Sequence, residues 1–457
     1  MGRKSQRRHA DHKPRARVDP PTIWPTTEQP ATEHRTVAAI ERLIATASYT
    51  GIGPNENRAV FARIVRALTE IEITRSAPQA PSALIATALQ NRVNTLYENG
   101  WQPADIAHSV KRQFAARAAR LAIAFIATHA RATDAIHRAP QQWLAQFEDL
   151  GVYSPRRDCV VGGHEQPLAV WARAEKLDPD EVIAIALQVL AQLTLSPKLS
   201  GLTTPPSAWG DTNRGLNTPL AIPRDDVDAK ALKLIRALLA KAEATTFEAE
   251  AETFTAKAQQ MMTRYSIDVA VLASAVAGGD IASGIETRRV HIDSPYADEK
   301  ADLLSVIGAI NGARAVWSRQ VGIATIMGFP VDLQLTDLLF TSLLVQATKA
   351  SADATANDRA LRTPSFRRAF LIAFADRIGE RLEQAQHVVS AAAETAYGSA
   401  LVPLLANREA AVAKAFDDAF PFVTSGPSRR LNASGWYAGR AAADRAHLGA
   451  SAALSAG

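Results

Sequence analysis

Apolar residues recur at three- and four-residue spacings over much of the chain, the period of a helix that buries one face. In RTVAAIERLIATA (35–47) the stripe is Val37, Ile40, Leu43 and Ile44; in NRAVFARIVRALTEI (57–71) it is Val60, Ile64, Val65 and Leu68. Both predict amphipathic helices that need partners. Further on, Gly100 can stop one helix and Pro103 can open the next. From Ala104 to about His129 neither Gly nor Pro interrupts, so a single long helix is expected. PDEVIAIALQVLAQLTL (179–195) closes this helical region, with Asp180 and Glu181 in the first turn, where the helix dipole favours acids.

The period then breaks. Residues 196–226 gather Pro197, Pro205, Pro206, Pro219 and Pro223 with Gly201, Gly210 and Gly215, the composition of a linker. After it, DAKALKLIRALLAKAEATTFEAEAETFTAKAQQMMTRYSID (228–268) predicts a helical hairpin. Leu234, Leu238 and Lys241 form one stripe, with Ile235, Leu239 and Ala242 beside it, and Phe254, Ala258, Met261 and Tyr265 form the matching stripe, so the two should face each other. Thr245 to Glu248 fits a capping box, and Glu248, Glu250 and Glu252 give the second helix an acidic start.

Alternation of Val290 and Ile292 with polar neighbours in ETRRVHIDS (286–294) predicts a strand. A helix over 297–310 and strands over 313–320 and 322–329 follow, a β-α-β-β order, and then long helices over 330–358 and 365–398. The expected fold is therefore mainly α with a small α+β C-terminal domain. Its parts are a disordered basic, Pro-rich tail (1–34), an all-helical domain (35–195), a linker (196–226), the hairpin (228–268) and the α+β domain (285–450).

The words KALKLIRALLAKAEAT (230–245) and EAEAETFTAKAQQMMTRYSI (248–267) closely resemble the family filed as domain of unknown function 2786. The SFRRAFLIAFADRIGERL order beginning at 365 and GWYAGRAAADRAHL (435–448) resemble the C-terminal module that commonly accompanies that hairpin. The resemblance implies a fold unit and no assigned chemistry. No catalytic role carries over to Lys241, Glu248, Glu250, Lys257 or Tyr265.

Composition adds little until charge is divided along the chain. The formal net charge is +5. Arg3, Lys4, Arg7, Arg8, Lys13, Arg15 and Arg17 face only Asp11 and Asp19 within residues 1–20, so this segment carries the whole excess and the rest balances. A short cationic arm binds phosphates through counterion release without reading bases. A solvated, solubilising terminus is the other reading. Neither a secretory signal nor an apolar run long enough to span a bilayer is present, and one cysteine, Cys159, allows no disulfide within the chain, so a cytoplasmic setting is expected.

Reactive motifs are sparse. G-I-G-P-N-E-N (51–57) lacks the third glycine and preceding strand of a dinucleotide site, and no phosphate loop or serine-hydrolase elbow occurs. Asp158, Cys159 and His164 have no second histidine or neighbouring ligand cluster, so no metal or cofactor is expected. LYENGWQPADIAHSVKR has the D-I-A step of a helix-turn-helix but not its second turn, which leaves Lys111, Arg112, Arg117 and Arg120 as a solvated face. The remaining candidates for a polar site are His291 and Asp293 on the first strand, Arg319 on the strand hairpin, and Arg367 and Arg368 near a helix start, where free N–H groups favour phosphate. Each has a duller reading as an edge or surface charge. Two functions remain open. One is a non-enzymatic binding or scaffold protein attached to nucleic acid or an acidic protein through its basic arm, with no membrane partner. The other is an enzyme, acting on nucleic acid, with its site in the C-terminal domain.

Overall fold

The computed structural model describes residues 36–52, 56–74, 79–153 apart from 115, 166–210, 233–241, 257–267 apart from 259 and 260, 270, and 284–446 apart from 357, 398–400 and 424–431. The basic tail, the loop with Asp158, Cys159 and His164, the later part of the linker, and Thr245 to Phe254 of the hairpin lie outside the described residues. The protein is mainly helical, and the described residues contain one small three-stranded antiparallel sheet.

The N-terminal bundle comprises α1 (Val37–Thr50), α2 (Glu56–Thr74), α3 (Pro81–Glu98), α4 (Pro103–Phe114), α5 (Ala116–Ala132), α6 (Ala135–Arg138), α7 (Gln141–Asp149), α8 (Pro167–Glu175) and α9 (Pro179–Leu195). At the start of α9, Pro179 needs no N–H partner and the Glu181 carboxylate accepts from the Asp178 N–H at 3.4 Å. Val182, Ile183, Leu187, Leu190 and Leu193 of α9 are buried among α1, α2, α3, α4 and α5. The continuous helix expected from Ala104 to His129 is instead two helices, α4 and α5, packed on each other, which one straight helix cannot do. α5 is buried nearly all round, from Ala118 to Ala130, so it is the centre of a core and cannot enter a DNA groove.

The segment read as a linker is described as far as Gly210, and that part is strapped to the bundle. Trp209 is buried in its core, Trp143 Nε1 donates to Thr203 Oγ1 at 2.7 Å, and Leu199 N donates to Asn99 O at 3.0 Å. Proline removes donors but leaves carbonyls, and Trp101 Nε1 donates to one of them, Pro197 O, at 2.8 Å.

The C-terminal module contains β1 (Glu286–His291), α10 (Ala297–Ile310), β2 (Arg314–Ser318), β3 (Ile323–Gly328), α11 (Pro330–Ala354), α12 (Pro364–Tyr397), α13 (Leu401–Ala419) and α14 (Ala433–Arg445). The strand order is β1-β3-β2, all antiparallel, with Val290 opposite Ala324 and Ala315 opposite Ile326. That face packs with Leu304 and Ile307 of α10 and Phe366, Phe370 and Phe374 of α12. α12 and α14 run parallel, since Phe366 meets Gly435, Phe370 meets Gly439, and Arg377 meets Asp444. A Cβ on Gly439 would lie 2.2 Å from the Phe370 carbonyl oxygen, so the glycines of GWYAG are contact points between helices.

The hairpin docks on this module. Ile235, Leu239, Ala258 and Met262 share a small core with Val331 and Leu335 of α11. The inward stripe is thus shifted by one residue from the expected one: Leu234 is 49% exposed and Lys241 is exposed, while Leu238, Met261 and Tyr265 are only partly buried. The presence of α11 as a third partner selects the Ile235 and Leu239 side.

Candidate functional site at the junction of bundle and sheet

Strand alternation decides what β1 offers to each side. Val290 points to the α10 and α12 core, so Arg289 and His291 share the opposite face, and this face meets α4. On α4, Asp105 lies in the first turn and is 1% exposed. Its Oδ2 accepts from the Gln102 N–H at 2.8 Å, the usual satisfaction of a free helix N-terminal donor, and also pairs with the Arg289 guanidinium. Its Oδ1 lies 2.8 Å from His291 Nε2. Arg289 continues to the Gly100 carbonyl at 2.9 Å and the Ser200 carbonyl at 2.6 Å, tying the strap to the same point. Burial opposes ionisation of Asp105, but the His291 hydrogen bond, the Arg289 and His291 charges and the Gln102 N–H together hold its carboxyl below the ordinary range.

One turn along α4, His108 Nε2 is 3.0 Å from the Gly322 carbonyl in the β2–β3 turn, and its ring sits on that of His291 with centroids 4.8 Å apart. Arg112, a further turn on, donates to the Ile292 and Arg319 carbonyls at 3.3 Å each. Gly322 has φ +74°, and a Cβ there would meet the Arg112 side chain at 2.5 Å. Val321 and Ile323, flanking this glycine, belong to the bundle's core, and Gln320 Nε2 donates to Leu195 O at 2.8 Å. Burial, then the His291 charge, depresses the His108 pKa to about 4, against smaller upward effects of the Gly322 carbonyl and Asp293.

The sequence candidates separate into two places. His291 and Asp293 come to the junction, but Asp293 is largely exposed, 3.7 Å from His108 Nδ1 and 3.8 Å from Lys111 Nζ. Arg319 and Arg368 reach successive acids at the start of α10: Arg319 lies 3.0 Å from Asp298, and Arg368 lies 4.0 Å from Glu299. Arg367 is half-buried in the first turn of α12. The expected solvated face of α4 and α5 is also engaged: Arg112 as above, Arg117 and Arg120 with Glu175 of α8. Reading the sequence missed Asp105, Arg289 and His108. The available signals were Arg289 and His291 at alternate positions of one strand, and Asp105 with His108 on one side of an amphipathic helix.

What the junction can do chemically is bounded by its saturation. Asp105 accepts three donors, and His291 Nε2 must carry the hydrogen it shares with an ionised carboxylate. Among the described residues no group of three His, Cys, Asp or Glu side chains could hold a metal ion.

Fold and site define a mainly helical protein in which a small antiparallel sheet module is keyed to a helical bundle by buried charge. Within it, residues 230–269 match the family model described as Protein of unknown function (DUF2786). No curated protein and no solved structure matches the chain. Among the described residues no helix is long and apolar enough to cross a membrane.

Proposed function

We propose that the protein is a cytoplasmic, non-enzymatic binding protein that attaches to nucleic acid through its basic N-terminal segment. The observation that carries this reading is the charge partition: Arg3, Lys4, Arg7, Arg8, Lys13, Arg15 and Arg17 hold the entire net excess within residues 1–20. Support comes from the folded part, where the polar residues that could suggest a reaction centre are engaged in joining elements: His291 with Asp105, Arg319 with Asp298 and Arg368 with Glu299. Attachment of this kind is electrostatic and indifferent to base sequence. The test is binding of a labelled DNA duplex and a labelled single-stranded RNA across a salt series, with the full chain and with residues 1–20 deleted. The expected result is a steep fall in affinity with salt that deletion largely removes, by about 0.7 to 0.9 in log-log slope for each phosphate the arm would have neutralised. Unchanged binding after deletion would sink the reading.

A second reading has one observation in its favour, the Asp105–His291 pair. A buried carboxylate that fixes the tautomer of a partly exposed imidazole is the arrangement of a general base. Cleavage of the same labelled nucleic acids, abolished by His291→Ala, would replace the binding reading with this one; intact strands would remove it.

A further inference from the structure

We propose that the contact between α4 and the sheet is a proton-operated latch, in which His108 and His291, their rings tilted against each other across the junction, hold bundle and sheet module together while His108 is neutral and release them in acid. The hydrogen positions follow from the partners. Asp105 is ionised, so His291 Nε2 donates to it; the Gly322 carbonyl can only accept, so His108 Nε2 carries hydrogen and its Nδ1 is bare.

An added proton on His108 Nδ1 meets an unfavourable field. From β1 it faces His291, 4.8 Å away between centroids, and behind it Arg289, which already neutralises Asp105. From its own helix it faces Lys111 and Arg112. The nearest acid is Asp293 at 3.7 Å, on a side chain 64% exposed and therefore screened by water. From the turn, the Gly322 carbonyl bonds the other ring nitrogen, and the charged side chain of Arg319 is paired with Asp298 at 3.0 Å. Once the junction opens, the His108 ring enters water and protonates near the ordinary value of about 6.5. With His108 held to about 4 in the closed state, the open state binds more protons between these two values. Acid therefore favours opening, by about twentyfold between pH 7 and pH 5 for this one ring.

The experiment is hydrogen exchange of the full chain at pH 7 and pH 5, corrected for the intrinsic rate, read at the Ile292 amide, which shares its acceptor, the Gly322 carbonyl, with His108 Nε2. Protection is expected to fall about twentyfold in the natural protein. In His108→Gln, whose amide can still donate to Gly322, the fall should be nearly lost. A ring-nitrogen NMR titration of the natural protein should find His108 neutral at pH 5, where an imidazole in water is charged. Equal protection at both pH values, a full acid response in His108→Gln, or a His108 ring charged at pH 5 in the folded protein would each overturn the latch. The third outcome decides the matter even if the His108 variant folds poorly.

Discussion

Asp105 and Asp332 invite comparison, because both are buried carboxylates bonded to an arginine from a distant element, yet they settle on opposite sides of the ordinary range. Asp105 joins the bundle to the sheet and is held low. Asp332, at the start of α11, joins the hairpin through Ser266 and α13 through Arg408, whose guanidinium lies 2.9 Å away and over the Phe329 ring. Burial pushes the Asp332 carboxyl up, and the Arg408 charge and the two hydrogen bonds do not bring it back. The difference is the number and charge of donors: an arginine, an imidazole and a backbone N–H for Asp105, an arginine and a hydroxyl for Asp332. Burial is common to both, so the partners decide whether the charge survives.

The largest effect is expected where that charge is best compensated. Asp105→Asn strands the Arg289 guanidinium, whose side chain is 3% exposed, and should cost about 3 to 5 kcal/mol in denaturant unfolding. Asp332→Asn should cost less than half as much, because its carboxyl is already partly disfavoured as an ion; equal losses would erase the contrast. Between these, Gly439→Ala sets a methyl against the Phe370 backbone and should cost about 1 to 3 kcal/mol, with the helix pair α12 and α14 loosening first in hydrogen exchange.

Acid sharpens the comparison next. His108 and His129 are both held down to about 4 by burial, below the unfolded value near 6.5. The unfolded chain therefore binds more protons as pH falls, so the stability is fully present above about 6.5 and declines towards 4, by up to about 2 kcal/mol per histidine at pH 5. Asp332 acts in the opposite sense, since a raised carboxyl pKa in the folded state gains stability as pH falls through its own window. Thermal melts at pH 7, 6 and 5 should show the decline, and His129→Leu should reduce it. The smallest effect concerns the ladder of Arg377, Glu380, Arg440, Asp376 and Asp444 between α12 and α14. Hydrogen bonds from Arg440 and Arg377 lower the Glu380 carboxyl to about 2, but its side chain is 39% exposed, so Glu380→Gln should cost at most about 1 kcal/mol and less in high salt.

Local signals made much of the fold readable. α9 and α10 begin and end where the pattern places them, at Pro179–Leu195 and Ala297–Ile310, because caps and period are both local. The three strands were legible from alternation and a tight turn, and the hairpin from its own periodicity. What failed was partner choice. The split between α4 and α5 carries no Gly or Pro, and the Ile235 side of the hairpin is selected by α11, almost a hundred residues on. Arginine abundance, which composition alone leaves unexplained, has a structural use: Arg92 donates to Leu193 and Thr194 carbonyls, Arg362 to those of Thr355 and Ala356, and Arg381 to those of Ala443 and Ala446, each at a helix C-terminus. Of the candidate site, His291 could be named from the strand, but its partner Asp105 lies 186 residues away and reads locally as a first-turn acid.

One carboxylate on α4 is held here to couple the two halves of the molecule, and a double-mutant cycle tests that most directly. Asp105→Asn, Arg289→Met and the double variant, each in the full chain, would be unfolded in denaturant at pH 7. The pairing predicts a coupling of about 2 to 3 kcal/mol, with the double variant losing far less than the two single losses combined. Losses that add to within about 0.5 kcal/mol would contradict it, since independent sites behave that way.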